Sequence, residues 1–392
     1  MTSYICSPKR SAIGSFLGSL STFSAPQLGA EIIKASILDA QLAPDKIDEV
    51  YMGCVLTAGI GQAPARQAAL FAGISNQTPC TTIGKVCGSG LKAVMLADSA
   101  IRAGDISVAV AGGMESMSQS PYLLQKARSG FRMGSGELVD SMIKDGLWDV
   151  YNNFHMGNAA EMLNKEHHID REAQDAFAIA SYQKAIKSIE SGFFKNEIVS
   201  IVIESKKGKI EFATDEEPFK SDLSKIPQLK PVFTKDGTIT AANASSINDG
   251  AAAMIVAHEK SLSQNSLRPM ARIVAQAQSA QAPEWFTTAP ASAIKKCLGK
   301  AGLNAKDIDL WEINEAFSSV AIANMKILEI DPTKVNAFGG SVALGHPIGA
   351  SGARILTTLL CSLKREKKKY GCASLCIGGG EAVALIVENL EF

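Results

Sequence analysis

Two cysteines, one histidine and one asparagine stand in this chain where their chemistry could be used. Cys87 lies in Lys85-Val-Cys-Gly-Ser-Gly90, a sharp turn ahead of a helix expected over 91–103. Its glycines let backbone and substrate come close. A helix N-terminus favours an anion and offers N–H groups to an oxyanion, so this place is expected to lower the thiol pKa. The gain is about 0.3–1 kcal/mol, under one pKa unit from an ordinary value of about 8.5, so a base is still needed. His346 can supply it. It lies in Gly339-Gly-Ser-Val-Ala-Leu-Gly-His-Pro-Ile-Gly-Ala-Ser-Gly352, a loop with five glycines, and imidazole accepts protons near neutrality. Cys376, in Ser374-Leu-Cys-Ile-Gly-Gly-Gly380, sits at a strand end whose glycine triplet frees the Gly378 N–H. Asn314, in Trp311-Glu-Ile-Asn-Glu-Ala-Phe317, follows an expected strand.

Each has an ordinary reading too. Cys87 could be a small buried residue at a tight turn, and His346 a packed side chain. Cys376 could be a strand cysteine among apolar neighbours, as Cys372 is read to be. Asn314 could cap the next helix, or its amide could orient a water or a carbonyl oxygen.

Alternating strands and helices must position these residues. A strand is expected over 49–56 after a helix over 29–39, and a buried strand over 106–111. Three blocks recur. Leu42-Ala-Pro-Asp-Lys-Ile-Asp48 resembles Leu303-Asn-Ala-Lys-Asp-Ile-Asp309, and Gly88-Ser-Gly-Leu-Lys-Ala93 resembles Ala350-Ser-Gly-Ala-Arg-Ile355. Val108-Ala-Val-Ala-Gly-Gly-Met-Glu115 resembles Ser374-Leu-Cys-Ile-Gly-Gly-Gly-Glu381, which sets Cys376 opposite Val110. Three blocks in one order indicate two copies of an α/β unit. The section 119–243 is irregular, with one clear helix over 171–191 capped by Asp170. It is then rich in lysine: Lys206, Lys207, Lys209, Lys220, Lys225, Lys230 and Lys235. It reads as an insertion forming one wall of a cleft. The expected units are 1–118 with 244–268, the inserted 119–243, and 269–392.

Bulk properties exclude several classes. Lys+Arg and Asp+Glu both number 39 in 392 residues, so no charge excess points to nucleic acid or an anionic membrane. No apolar run reaches the ~18 residues of a membrane span, and the start lacks a secretory pattern. The cytoplasm is the simplest address. None of the eight cysteines forms a C-x-x-C pair, and no metal site is expected.

Together these motifs resemble the thiolase family over the whole chain. The Val-Cys-Gly-Ser-Gly run at Cys87, Asn314-Glu-Ala-Phe317, Gly345-His-Pro-Ile-Gly-Ala-Ser-Gly352 and Cys376-Ile-Gly-Gly-Gly380 look like four family motifs in order. Asn243-Ala-Ser-Ser-Ile-Asn-Asp-Gly250 and Gly112-Gly-Met-Glu-Ser116 resemble further family blocks. The resemblance implies a duplicated α/β core, layered αβαβα, with a loop domain inserted in the first half. It implies condensation of two acetyl-CoA to acetoacetyl-CoA and free CoA, with thiolysis as the reverse. Cys87 would carry the acetyl group, His346 would assist its ionisation, and Cys376 would move the α-proton. One oxyanion hole would use His346 and a water on Asn314, the other the N–H groups of Cys87 and Gly378. His155 and Met156 would line a short acyl pocket. Leu147, Phe233, Ala241, Ser245, Ala316 and Phe317 would surround the pantetheine arm, and Lys220 or a neighbouring lysine would meet the nucleotide. CoA thioesters would be substrates, with no tightly bound cofactor, and the family implies a homotetramer.

Three alternatives stay open here. A longer-chain 3-ketoacyl-CoA thiolase shares the chemistry. A 3-ketoacyl synthase shares the superfamily, but Cys376 argues against it. A non-catalytic acyl-CoA-binding protein would not need all four reactive positions filled.

Overall fold

Val108–Ser116 is buried at every residue, as a strand covered on both faces must be. Its side chains still alternate. Ala109 and Ala111 enter one apolar cluster, Val108 and Val110 another. That alternation builds the layers of the molecule. The structure, a computed structural model, describes residues 2–205 and 208–391. Lys206 and Lys207 of the lysine-rich stretch lie outside them, as do the terminal Met1 and Phe392.

The strands that matter are β1 (Ser3–Ser11), β2 (Glu49–Gly53), β3 (Cys80–Ile83), β4 (Val108–Ser116) and β5 (Asn248–His258). The second half adds β6 (Ala271–Ala280), β7 (Leu310–Ile313), β8 (Tyr370–Ile377) and β9 (Glu381–Asn389). They pair in the order β7-β8-β9-β6-β1-β5-β4-β2-β3 within one continuous sheet. The halves meet where β1 pairs antiparallel with β6, at Tyr4–Arg272 and Ile5–Ala271. Helices α1 (Ala25–Asp39), α2 (Pro64–Phe71), α3 (Ser89–Ala103), α4 (Met156–Glu166) and α5 (Arg171–Glu190) precede α6 (Ala289–Ala301), α7 (Ser318–Leu328) and α8 (Ile348–Glu366).

Leu91, Val94 and Ile101 of α3 and Leu356, Leu359 and Leu363 of α8 share one core with Ala109 of β4 and Leu385 of β9. Ile32 of α1 and Ala68 of α2 cover the outer face of the first half-sheet. Ile294 of α6 and Met325 of α7 cover that of the second. The layering is therefore α–β–α–β–α, with α3 and α8 in the middle.

Several boundaries move. The strand expected over 49–56 ends at Gly53, because the N–H groups of Val55 and Leu56 turn to donate to Glu115. The helix expected from 29 begins at Ala25, where the Ser24 N–H donates to Gln27 Oε1 at 2.8 Å. Helix α4 was not expected. Its cap is His155, whose Nδ1 accepts the Gly157 N–H at 3.0 Å, and histidine is not a usual capping signal. Helix α5 is opened by Asp170, which accepts from the Ala173 N–H at 2.7 Å.

The duplication is real, but its third block is in another register. Asp48 N–H donates to Val108 O at 2.9 Å, and Asp309 N–H to Tyr370 O at 2.9 Å. The Asp48 carboxylate accepts from Ser107 and Val108 N–H, and the Asp309 carboxylate from Lys369 and Tyr370 N–H. Val108 thus corresponds to Tyr370, Val110 to Cys372, and Met114 to Cys376. The glycines misled the comparison because they do different work. Gly113 lies inside β4, where a Cβ would stand 2.1 Å from Gly349 O. Gly379 and Gly380, at φ +93° and +89°, make the turn from β8 to β9.

Candidate active site

Cys87 is held by an unusual turn. Val86, just before it, has φ +43°, which a β-branched residue adopts only under constraint. Ser89 fixes this turn, accepting the Lys85 N–H at 2.8 Å and donating to Val86 O at 2.7 Å. Cys87 is half-buried at the wall of a cavity of about 540 Å³. The N–H groups of Gly378 and of Cys87 itself point at its sulfur. Burial nonetheless pushes the thiol up to about 11, outweighing those two donors. The expected net lowering is overturned: desolvation of a thiolate costs more than two N–H groups return.

His346 enters the same cavity from the other half. Gly345, at φ +104°, makes the turn before it, and a Cβ there would stand 2.4 Å from the Asn248 side chain. Asn248 Oδ1 accepts the His346 N–H at 2.8 Å. The ring itself is oriented by Ser351, whose Oγ lies 2.6 Å from Nδ1. Ser351 donates its proton to Pro347 O at 2.9 Å, so toward the imidazole it must accept. Nδ1 therefore carries the hydrogen and Nε2 the lone pair. Burial, and then the Arg354 charge, pull His346 down to about 3, so the ring rests neutral.

Asn314 caps no helix; Phe317 holds that position for α7. Its Oδ1 accepts from Ser341 Oγ at 2.6 Å, and its Nδ2 lies 3.5 Å from His346 Nε2. Cys376 is fully buried and packs with Met156 and Phe317, which do line the cavity. Its thiol is held well above the ordinary value by burial first and by the nearness of Cys87 second. The two sulfurs, one from each half, share one neighbourhood.

Of the residues expected around a substrate, Leu147, His155, Met156, Lys220, Phe233 and Ala241 line the cavity from the segment between β4 and β5. Ser245, just before β5, also lines it, as do Ala316, Phe317 and Gly378 of the second half. Phe233 stacks on His155 at 4.8 Å between ring centroids, and burial lowers the His155 pKa. Ser245 Oγ donates to Ala316 O at 2.9 Å, tying the two halves together at the rim. Asn314 and Cys376 stand behind this lining rather than in it. Met117, Phe286 and Ile348 also line the cavity. Met117 and Phe286 carry no motif, and Ile348 lies in the histidine motif without a chemical group to single it out, so only the fold reveals them. Asn248 lies inside a quoted motif, but its partner is 98 residues away. Among the described residues no cluster of His, Cys, Asp and Glu could hold a metal ion, and no helix is long and apolar enough to cross a membrane.

Known proteins resemble this chain in sequence and fold. The family model described as "Thiolase, N-terminal domain" matches residues 3–260, and "Thiolase, C-terminal domain" matches 267–389. An acetyl-CoA acetyltransferase of Cupriavidus necator is 51% identical over 387 residues, covering 98% of each chain. A cytosolic acetyl-CoA acetyltransferase of Gibberella zeae is 48% identical over 390 residues, covering 99% of this chain and 98% of its own. The crystal structure of a thiolase from Ascaris suum in complex with coenzyme A superposes with a TM-score of 0.95, at 42% identity over all of both chains. With family models matching both halves and relatives about half identical over nearly its whole length, this chain is a member of the thiolase family.

Proposed function

We propose that this protein is an acetyl-CoA C-acetyltransferase that condenses two acetyl-CoA to acetoacetyl-CoA and CoA, and runs as a thiolase in reverse. One observation carries the reading: the Cys87 thiol and a neutral imidazole line one cavity, and the Cys376 thiol stands behind its wall, near enough to Cys87 that the Cys87 charge raises the cost of ionising it. Such a pair favours passing one negative charge between sulfurs. In the first half-reaction His346 Nε2 takes the Cys87 proton as sulfur attacks the thioester carbon. The N–H groups of Cys87 and Gly378 meet the oxyanion. Cys376 gives its proton to the departing CoA sulfur and becomes the thiolate. In the second half-reaction that thiolate takes a proton from the α-carbon of a new acetyl-CoA. The enolate attacks the acetyl group on Cys87, and the Cys87 sulfur leaves and recovers its proton from His346. Both cysteines end as they began. His346 Nε2 and the Asn314 amide, through a water, would meet the enolate oxygen.

The apolar wall from Leu147, Met156, Phe233, Ala316 and Phe317 suits the pantetheine arm and a short acyl group. His155, Ala241 and Ser245 belong to the same proposed contacts, and Lys220 is proposed for the nucleotide phosphates. Segment 119–243 is proposed as the inserted domain, between a first half of 1–118 with 244–268 and a second half of 269–392. The test is mass spectrometry after incubation with acetyl-CoA. An acetyl group is expected on Cys87, and Cys87→Ala is expected to abolish uptake and turnover with its unfolding midpoint kept. Acetyl uptake undiminished in Cys87→Ala would refute the assignment. Faster thiolysis of a long 3-ketoacyl-CoA than of acetoacetyl-CoA would favour the longer-chain reading.

A cytoplasmic homotetramer completes the proposal. Tyr122, Leu124, Met133 and Leu138 are exposed on and between two short paired strands, Met133 at 98%, and such a patch asks for cover. Light scattering at micromolar concentration is expected to give the mass of four chains; a monomer's mass would contradict it.

A further inference from the structure

Asn314 alone does not determine which end of its amide faces His346. The ends differ, since the oxygen accepts and the NH2 donates. The choice is made farther back. Ser341 is buried, and its Oγ lies 2.6 Å from Asn314 Oδ1 and 2.7 Å from Arg354 Nη2. A guanidinium can only donate and does not lose its proton in a protein. The single Ser341 proton is therefore free to go only toward Asn314, and the amide atom that receives it must be the oxygen. Polarity runs from Arg354 through Ser341 to the amide, and it leaves Nδ2 facing His346 Nε2, 3.5 Å away. Ser351 gives that ring nitrogen its lone pair from the other side.

Arg354 has little other employment. It is 2% exposed, and its Nε and Nη1 have no hydrogen-bond partner among the described residues. Glu312 stands 3.8 Å from Nη1, too far for a hydrogen bond. Burial also pushes the Glu312 carboxyl up to about 8, which weakens it as a counter-charge at neutral pH. A buried cation with one short hydrogen bond is costly, and packing alone does not call for it. In the first half the corresponding residue is Lys92, which only reaches Gln278 Oε1 at 3.4 Å in an exposed setting. The halves diverge where the second one carries Asn314.

We propose that Ser341 and Arg354 are positioning residues, which hold the Asn314 amide with its N–H end toward the place where the thioester oxygen of the second substrate gathers charge. This rests on the acetyltransferase reading above and adds a division of labour to it. Acetylation of Cys87 draws on the N–H groups of Cys87 and Gly378, so it does not need the relay. Carbon–carbon bond formation does.

The experiment is Ser341→Ala in the full chain, with two readouts. The rate of Cys87 acetylation, followed by CoA release and by mass, is expected within about two-fold of the parent. Acetoacetyl-CoA formation is expected to fall roughly 10- to 100-fold in kcat with little change in KM, somewhat less than the loss of a whole oxyanion donor. Ser341→Thr, which keeps the hydroxyl, is expected to restore most of it. In an Asn314→Ala background Ser341→Ala is expected to cost nothing further, because it acts through that amide. Arg354→Lys keeps a cation and one N–H, and its loss is expected to fall on the same half-reaction but to be milder. Equal losses in both half-reactions, additive losses with Asn314→Ala, or undiminished condensation would each overturn the relay. No acetyl-Cys87 in the parent would instead strike the acetyltransferase reading itself, and the relay with it.

Discussion

Cys87 and His346 line one cavity as a thiol and a neutral imidazole. Burial lifts the first to about 11 and drops the second to about 3, so an ion pair is not the resting form. In the proposed reaction, proton transfer would accompany attack on the thioester, with charge passing at once to the carbonyl oxygen and the two N–H donors. A consequence for pH follows. Protonation of the free imidazole is displaced below its ordinary value and ionisation of the thiol above its own. The kcat/KM for Cys87 acetylation is expected to be flat between about pH 5.5 and 8.5. An acid limb at 6–7 that vanishes in His346→Asn would contradict this. Stability has the matching sign. The folded-state pKa of His346 is depressed, so this group's contribution is full above about 6.5 and declines as pH falls below it. The decline is about 1.4 kcal/mol per pH unit, because there only the unfolded chain takes up the proton.

Between elements, one carboxylate does much of the joining. Glu115, on β4, accepts the N–H groups of Val55 at 3.0 Å, Leu56 at 3.1 Å and Gly349 at 2.9 Å. It thereby ties the loop after β2 to the first turn of α8, close to both Cys87 and His346. A glutamine in its place would turn an NH2 toward groups that can only donate. Glu115→Gln is expected to destabilise the fold by about 1–3 kcal/mol, the cost of a buried donor left without an acceptor. The measurement is the denaturant midpoint, and an unchanged midpoint would remove Glu115 from this role. The second half has no such device, since its corresponding residue is the apolar Ile377.

For the whole molecule, the segment between β4 and β5 is locked to the core by a buried charge cluster. Arg10 of β1 donates from Nε to Glu197 at 2.6 Å and grips both oxygens of Asp215 at 2.8 and 3.0 Å. All three side chains are fully buried, and the two carboxylates hold the Arg10 pKa above its ordinary value. Removing the cation strands two buried carboxylates. Arg10→Met is expected to cost about 3–5 kcal/mol in the denaturant midpoint. A loss below about 1 kcal/mol would show that water reaches the cluster and that other contacts hold the wall of the cavity.

The sequence by itself determined the class of fold and the duplication, and it named the four side chains proposed to react. The apolar run of the buried strand Val108–Ser116, glycine-bounded turns at Cys87 and His346, and the paired Asp48 and Asp309 are local properties, legible in short windows. Tertiary structure decided the rest. It moved the third repeat by four residues, because Gly112–Gly113 permit close packing whereas Gly378–Gly380 make a turn, and letters do not distinguish those uses. It reversed the sign of the Cys87 pKa shift, because desolvation depends on what covers the sulfur. It also joined Arg354 and Ser341 to Asn314, and Ser351 to His346, through hydrogen bonds whose direction is set by partners that only folding brings together. Spacing encodes which groups are available; burial and partner geometry, which are properties of the packed chain, set their charge and orientation.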